Sequence, residues 1–494
     1  MTPDIHAYLD THRRDLVNEL VGWVRIRSVA GLDERQVEVL RSANWLAGTL
    51  RDLGFPVVQV WDRQGAPAVY AEWCATPDAP TVLVYSHHDV RAAKDEQWEE
   101  TPPFEPAERG GRIYGRGTSD AKGQILAHLW GLRAHLAVAG RTVPAVNIKL
   151  LIEGEEETGS AALSDLLDEH QPTADLVLFS DTLLWHREHP AICMGLRGMV
   201  SAEIEVYGPL RDVHSGAVSG AAPNPVIELS KLLAMLHDDK GRITLPGFYD
   251  DVVEPPQRFR DELAALPYRD EDWLARSETR SIGGEEGYSV LERLWTRPAA
   301  EVLTVAAGDV TGVSRAAVPA VATASLSIRT VPDQRIADVA DQLRRWVADT
   351  ISDRVEYRLT VSEETAQEPY RTPPDHPAVA VLAEAMRDGF GRPVGQMANA
   401  GGGPAELLAR KLDAPVLFFG TGLPEDRWHD SDESVAVDVL LAGAATLAQF
   451  WSRLAGPDPT APANLGAGPA EPPLTQSPHP RHRYRGNRTG RWTD

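Results

Sequence analysis

The sequence has few cysteines, an excess of acidic over basic residues, and no long apolar run. Its two cysteines, Cys74 and Cys193, each lie in or beside an apolar stretch. We therefore expect buried thiols rather than a disulfide, which suits a reducing cytoplasm. Lys and Arg number 49 against 72 Asp and Glu, giving a formal net charge of −23. This balance argues against broad binding to nucleic acids or anionic membranes, because both require a cationic surface.

Several sequence signatures are also missing. No apolar stretch approaches the ~20 residues that span a bilayer, and residues 1–14 lack the apolar centre of a secretory signal peptide. The nucleophile motif G-x-S-x-G does not occur, which disfavours a serine hydrolase. The sequence therefore predicts a cytoplasmic protein without a membrane anchor.

Four apolar runs end beside histidine or acidic residues. They are V-L-V-Y-S-H-H-D-V at 82–90, N-I-K-L-L-I before the acidic residues 153–157, D-L-V-L-F before Asp181, and P-V-L-F-F shortly before His429. Runs of this kind are typical of strands buried on both faces of a parallel sheet. Functional groups lie beyond the carboxyl ends of such strands, so these side chains would share one rim. Clustered carboxylates repel each other unless a cation neutralises them, which favours a metal site.

Alternatives remain for each run taken by itself. A buried strand can end in polar residues, and the acidic turn at 153–157 could be solvated. His87 and Asp89 are two apart and would leave one face of an extended backbone, so one could hold a metal and the other orient it. His88 is the competing ligand, although we expect it to be packed or exposed.

Asp120 lies in the glycine-rich segment 115–123, just before a predicted helix at 124–136. The glycines permit tight turns, so the backbone would aim this carboxylate outward. A glycine-rich turn before a helix could instead cradle phosphate. The motif G-x-x-x-x-G-K-[ST] is absent, however, which disfavours that interpretation.

The order of predicted elements indicates two domains. Residues 1–198 and 367–455 predict an α/β domain in which helices sandwich a mixed, mostly parallel sheet. Residues 199–366 follow the order β-α-β-β-α-β, typical of an inserted α+β ferredoxin-like domain. Residues 240–300 would interrupt it as a helical insertion of unassigned purpose. Residues 456–494 are rich in Pro, Ala, Gly and Arg and predict a disordered tail with a basic end.

Three boundaries follow from local periodicity. Helical spacing predicts one helix over 4–26 and a closing helix over 434–454. The apolar run predicts a strand that extends from Val82 to Val90.

Taken together, the motifs resemble those of the co-catalytic zinc exopeptidases. They are H-x-D at 87–89, G-R-G-T-S-D-A-K-G at 115–123, E-G-E-E-E-T-G-S at 153–160, S-D at 180–181, D-V-H-S-G at 212–216, S-I-R-T-V-P at 327–332, and the late His429. That family includes carnosinases, cytosolic non-specific dipeptidases, glutamate carboxypeptidases, aminoacylases and succinyl-diaminopimelate desuccinylases. The resemblance spans residues 5–452. The W-E-E-T-P-P-F segment at 98–104 and the long middle domain are most similar to the dipeptidase branch.

The resemblance implies a site for two divalent metal ions, by default Zn²⁺, although Mn²⁺ or Co²⁺ would also suit the donor set. His87 and Asp181 would hold one ion. Glu157 and His429 would hold the other, and Asp120 would bridge the two.

The resemblance also implies roles around the metals. Glu156 would act as general base, and Asp89 would orient His87. The free carboxylate of the substrate would be bound by the Arg329 guanidinium and by the backbone N–H groups of Gly402 and Gly403, although many dipeptidase relatives carry Ser at the last position. His214 would stabilise the oxyanion, in this family often across the interface of a homodimer.

The expected function is metal-dependent hydrolysis of a dipeptide. A carboxypeptidase or an N-acyl-amino-acid deacylase would use the same metal-binding residues, and a non-catalytic metal-binding scaffold is the alternative from another class. Three candidates also have structural interpretations: Arg329 as an ion pair, His214 as a turn residue and His429 as a solvated loop residue.

Overall fold

A computed structural model of the chain describes residues 4–32, 35–62, 66–308 and 315–456. The predicted tail lies outside these ranges from residue 457 onward. No helix within them is long and apolar enough to cross a bilayer.

The helices are α1 Ile5–Thr11, α2 Arg13–Val24, α3 Gln36–Leu53, α4 Lys122–Ala139, α5 Leu163–His170, α6 Ser215–Val218, α7 Pro225–Ala234, α8 Gln257–Ala264, α9 Asp270–Arg276, α10 Val290–Trp295, α11 Ile336–Thr350, α12 Pro377–Phe390, α13 Ala405–Leu412 and α14 Val437–Leu454. The strands are β1 Val57–Trp61, β2 Ala68–Trp73, β3 Thr81–His87, β4 Ala107–Arg109, β5 Arg112–Tyr114, β6 Asn147–Glu153, β7 Leu176–Phe179, β8 Ala191–Leu196, β9 Gly198–Tyr207, β10 Val213–His214, β11 Ala299–Ala307, β12 Ala317–Val318, β13 Val321–Thr330, β14 Glu356–Val361, β15 Tyr370–Arg371, β16 Gly395–Asn399, β17 Val416–Phe418 and β18 Ser434–Ala436.

The largest sheet has the strand order β1-β2-β6-β3-β7-β17. β6, β3, β7 and β17 run parallel to one another, whereas β2 pairs antiparallel with both β1 and β6. These four parallel strands are the four apolar runs of the sequence, so their predicted assembly into one sheet is confirmed. Their carboxyl ends point to the same rim.

Both faces of the four parallel strands of this sheet are buried. Along β3, Val82 and Val84 face a core formed with α1–α4, α12 and α14. Leu83 and Tyr85 face a second core that includes residues of α5 and α13. The central strands therefore have no polar face, which is why they read as continuous apolar runs rather than as alternating ones.

A separate four-stranded antiparallel sheet has the order β11-β13-β9-β14, with α7 and α11 packed on it. In chain order its elements are β9, α7, β11, β13, α11 and β14, which is the ferredoxin-like arrangement. Val200, Ala202, Ile204 and Val206 on β9 are buried, as their alternation predicts. The predicted fold class is confirmed.

The structure corrects several local predictions. The helix predicted over 4–26 is broken at His12, whose backbone leaves helical geometry. Residues 434–436 form a strand paired with β5, so the closing helix begins only at Val437. The strand predicted to reach Val90 ends at His87. Cys193 is a buried free thiol as expected, but Cys74 is exposed because β2 ends just before it.

The insertion predicted at 240–300 contains three short helices, α8, α9 and α10. Leu263, Leu291 and Trp295 from this segment join the core that contains Trp185 and Met397. The insertion therefore packs against β16, the strand that precedes the loop with Gly402 and Gly403.

A pair of matched glycine substitutions tests the helix packing. A Cβ on Gly131 of α4 would lie 2.8 Å from the Ala444 carbonyl oxygen of α14, whereas a Cβ on Gly48 of α3 meets nothing within 4 Å. We expect Gly131→Ala to lower the free energy of unfolding by about 1–3 kcal/mol through overpacking. Gly48→Ala should raise it by about 0.5–1 kcal/mol. Urea denaturation followed by circular dichroism measures both; equal effects of the two changes would contradict the proposed close contact of α4 with α14.

Candidate metal centre

The candidate ligands lie at the rim where the parallel strands end. His87 is the last residue of β3 and is paired with Glu153, the last residue of β6. Glu157 follows in a 3₁₀ turn, and Asp181 lies two residues beyond β7. The strand register alone thus brings together side chains separated by almost a hundred residues of sequence.

One group of possible ligands consists of His87, Asp120 and Asp181. His87 Nε2 lies 3.1 Å from Asp120 Oδ1 and 3.7 Å from Asp181 Oδ1. The His87 side chain is fully buried, and Asp120 is nearly so. Asp120 precedes α4 in the glycine-rich turn, and its peptide bond to Ala121 is cis.

A second group consists of Asp120, Glu157 and His429. His429 Nε2 lies 3.0 Å from Asp120 Oδ2 and 3.1 Å from Glu157 Oε2. Within each group the ligand atoms all lie within 4.8 Å of one another. Asp120 belongs to both groups, one oxygen facing each histidine, and each group could hold a metal ion.

The two histidines respond to this concentration of negative charge. The carboxylates of Asp120 and Glu157 raise the pKa of His429 to about 10. Burial by itself would lower the pKa of His87, but Asp120 and Asp181 raise it well above its usual value. The same two imidazoles hold the pKa of Asp120 below its usual range, although its burial acts in the other direction.

The pKa values of the two neighbouring glutamates are raised, unlike that of Asp120. Burial raises the pKa of Glu157, and the charge of Asp120 raises it further. Burial and then the charge of Asp181 raise the pKa of Glu156 well above its usual value. These shifts have the signs that burial and neighbouring carboxylates produce.

The donor atoms fit metal ions. Asp120 Oδ2 is buried and accepts no hydrogen bond of good geometry from the described residues, although His429 Nε2 is 3.0 Å away. An acceptor and a ring nitrogen that face each other closely without such a bond suit a shared cation. Imidazole nitrogens with carboxylate oxygens are a common donor set for Zn²⁺.

Asp89 fixes two parts of the site at once. Its carboxylate Oδ1 lies 3.4 Å from His87 Nδ1. It also accepts hydrogen bonds from the backbone N–H groups of Glu156, at 3.3 Å, and Glu157, at 3.0 Å. Sequence spacing predicts the contact with His87, but not the contact with the turn that carries both glutamates.

Two of the residues predicted to bind substrate, Arg329 and Gly402, lie near Arg197. Arg329, half-buried on β13, makes no ion pair with the described residues, and burial lowers its pKa. Burial of Arg197, and then the charge of Arg329, lower the pKa of Arg197 to about 10. Arg197 donates to the carbonyl oxygens of Ala400, Arg293 and Arg297. A Cβ on Gly402 would lie 3.5 Å from the Arg197 carbonyl oxygen.

The glycine loop is tightly packed. A Cβ on Gly402 would lie 2.1 Å from Gln367 Oε1, and one on Gly403 would lie 3.0 Å from the Phe179 ring. The backbone N–H groups of Gly402 and Gly403 donate no hydrogen bond to the part of the chain that the structure describes. Both amides are therefore unpaired within the described ranges; Gly402 is half-buried and Gly403 is buried.

His214 is not brought into contact with the other candidates. It is exposed on β10, which pairs with β12. Over the described ranges, no hydrogen bond or ion pair joins it to the residues around Asp120.

Sequence reasoning missed several residues that contact a candidate ligand or the turn that carries Asp120. Arg91 Nε donates to Glu157 Oε2 at 2.8 Å. The buried carboxylates of Asp426 and Glu433 bind the turn that carries Asp120. All three lie in polar loops, where no periodicity distinguishes a buried charge from a solvated one.

Comparisons with known proteins find similarity to peptidases over most of the chain. Residues 83–453 match the family described as Peptidase family M20/M25/M40. The human Beta-Ala-His dipeptidase is 28% identical, covering 91% of this chain and 92% of that protein. The Cys-Gly metallodipeptidase of Schizosaccharomyces pombe is 25% identical, covering 92% and 98%. The crystal structure of an M20 family metallo-carboxypeptidase from Sulfolobus solfataricus has a TM-score of 0.79 at 27% identity, covering 89% of this chain and 99% of that one.

Substitution of Asp89 tests its contacts to both parts of the site. We expect Asp89→Asn to weaken metal binding by about 10–100-fold, because a ligand histidine and the glutamate turn lose a charged acceptor. Competition with a chromophoric chelator measures the affinity. Asp175→Asn is the matched control, since Asp175 also accepts a backbone N–H, that of Thr81, at the opposite end of β3. An equal loss of affinity in both variants would show that the effect is not specific to the site.

Proposed function

Because the chain belongs to the M20/M25/M40 peptidase family, we propose that it is a metallodipeptidase that uses two divalent metal ions, by default Zn²⁺. The observation that carries this proposal is the pair of ligand groups that share Asp120 at the rim of the sheet. His87 and Asp181 would complete one metal site, and Glu157 and His429 the other. When bound, two such ions polarise the scissile carbonyl and lower the pKa of water.

Glu156 supplies the base that this chemistry requires. It is adjacent in sequence to the ligand Glu157, and Asp89 holds both backbone N–H groups of their turn. Its carboxylate takes a proton from the attacking water and delivers it to the nitrogen of the departing amine. In this proposal Glu157 would bind metal, and Glu156 of the same turn would act on the water.

The free carboxylate of the substrate binds beside Arg329. That guanidinium is half-buried. The neighbouring Arg197 donates hydrogen bonds from Nε and Nη1 to backbone carbonyl oxygens. The free N–H groups of Gly402 and Gly403 add two further donors. A terminal carboxylate held at a fixed distance from the metal site would make the leaving group a single C-terminal residue, as in a dipeptide. Relatives that are named dipeptidases support this choice.

A carboxypeptidase is the second candidate. The structure of the M20 family metallo-carboxypeptidase from Sulfolobus solfataricus is similar over 89% of this chain. It would need the same carboxylate contacts, but a pocket open to longer peptides. An N-acyl-amino-acid deacylase would also use the same metals.

We also propose that the chain forms a homodimer through the outer edge of β11, with the chain divided at residues 198 and 366 into catalytic and dimerisation parts. β11 pairs with β13 on one side only, among the described strands. Val302, Leu303 and Val305 on it are exposed, by up to 62%. Long apolar edges of this kind are normally covered. His214, remote from its own metal centre, would then serve that of the partner.

We propose a cytoplasmic location as well, since the two free cysteines suit a reducing compartment.

Substitution of the proposed base tests the reaction. Glu156→Gln should remove at least 99% of dipeptide hydrolysis, since the amide cannot accept the proton, while zinc content stays normal. Glu155→Gln, which alters the neighbouring glutamate of the same turn, should retain most activity. Assays on β-Ala-His, Cys-Gly, a tripeptide and an N-acetyl amino acid separate the candidate activities. Full turnover by Glu156→Gln would rule out the general-base role, and preference for the tripeptide or the acetylated substrate would favour an alternative function.

Substitution of the edge strand tests the dimer. Val305→Glu should convert the protein to monomer in analytical ultracentrifugation and reduce turnover at least tenfold, because a buried charge opposes edge pairing. Val253→Glu is the control, since Val253 has the same 55% exposure outside any strand. In the unaltered dimer, mixing His214→Ala with Asp120→Asn subunits should restore part of the activity. A monomeric wild type, or mixtures without any recovery, would contradict the shared site.

A further inference from the structure

Two of the ligand-bearing loops are far apart in sequence and contact each other through buried polar groups. Asp120 ends the turn 115–120, and His429 lies in the loop 424–433 between β17 and β18. Neither is part of a regular element, so strand register does not fix the distance between them. That distance decides whether Asp120 can serve both ligand groups.

Glu433 is the main connection between these loops. Its side chain is fully buried. Oε1 accepts the backbone N–H groups of Gly117 and Ser119, each at 3.0 Å, and of Asp120 at 3.1 Å. Oε2 accepts Arg116 Nη1 at 2.8 Å. One carboxylate therefore binds four residues of the turn, and one of these contacts is with the backbone N–H of Asp120, the proposed bridging ligand.

Asp426 makes a second, smaller connection. Its Oδ2 accepts the Ser119 hydroxyl at 2.6 Å and the Leu423 backbone N–H at 2.9 Å. Trp428 Nε1, next to His429, donates to the same hydroxyl at 2.8 Å. Arg112 also pairs with Asp426. Ser119 thus lies between the two loops and contacts both.

The loop around His429 needs such support. Arg427, His429 and Asp432 have φ of 60°, 62° and 56°, the left-handed region that side chains other than glycine rarely adopt. Residues in such conformations persist where the surroundings hold them, and they often occur at functional sites. Glu433 directly follows this segment and is anchored on the Asp120 turn.

We propose that Glu433 is a positioning residue that fixes the Asp120 turn against the His429 loop and thereby sets the affinity of both metal sites. The inference rests on the proposed function only in that the ligand groups hold metal. Charged acceptors make stronger hydrogen bonds than neutral ones. A glutamine would turn an N–H group towards either Arg116 or the backbone N–H groups, so it cannot satisfy both.

The test is the affinity of Glu433→Gln for Zn²⁺ alone, measured by competition with a chromophoric chelator and without peptide. We expect both ions to bind at least tenfold more weakly than in the wild type. Glu285→Gln is the matched control: Glu285 is buried, and its two oxygens pair with Arg297 at 2.8 and 2.9 Å in the segment 240–300. Both variants should lower Tm, but Glu285→Gln should keep the wild-type zinc affinity.

Wild-type zinc affinity in Glu433→Gln, with a lowered Tm like that of Glu285→Gln, would reduce Glu433 to a structural role and overturn the inference. If Glu433→Gln does not fold, Arg116→Lys decides, because it removes the guanidinium that donates to Glu433 Oε2 and leaves Glu433 itself in place. We expect a several-fold loss of zinc affinity there, and no change would overturn the inference. Failure of the wild type to cleave any dipeptide would end the proposed function, yet leave the zinc comparison intact.

Discussion

Electrostatic repulsion between carboxylates that converge on Asp120 is the constraint on which the rest of the structure depends. Parallel strands with common carboxyl ends bring Asp181 and Glu157 to this point, and burial removes the water that would otherwise screen their charges. Without compensation such a rim would be unstable. The opposing charges come from two imidazoles of raised pKa. In the proposed enzyme they would come from divalent cations, which the same two imidazoles would bind in their neutral form.

Much of the fold could be predicted from the sequence because its signals are local. Continuous apolar runs identify strands covered on both faces, and alternation along β9 identifies a strand covered on one. The predictions failed where a distant partner decides the structure. Ser434–Ala436 is a strand because β5 offers an edge to pair with, and β8 and β16 pair with each other across two hundred residues. No window of local sequence contains such information.

The candidate site divides in the same way. The proposed ligands follow strands or a glycine-rich turn, so motif and spacing pointed to them, and the structure brings all five together. Positioning groups such as Asp426 and Glu433 lie in polar loops and become recognisable only when their buried partners are known. His214 and Arg329 belong to neither ligand group, and their distance from those groups depends on how the domains are arranged rather than on the sequence around them.

The two kinds of residue also differ in how they hold the site. A ligand contributes an atom to the centre, whereas Asp89 and Glu433 each accept several backbone N–H groups and so define the path of a loop. Loop backbones have no sheet register to position them, and residues near His429 adopt left-handed conformations. A buried carboxylate that accepts more than one backbone N–H group fixes the position of a loop, as strand register fixes the positions of the strands. The centre therefore depends as much on acidic residues that would never touch a metal as on those proposed to bind one.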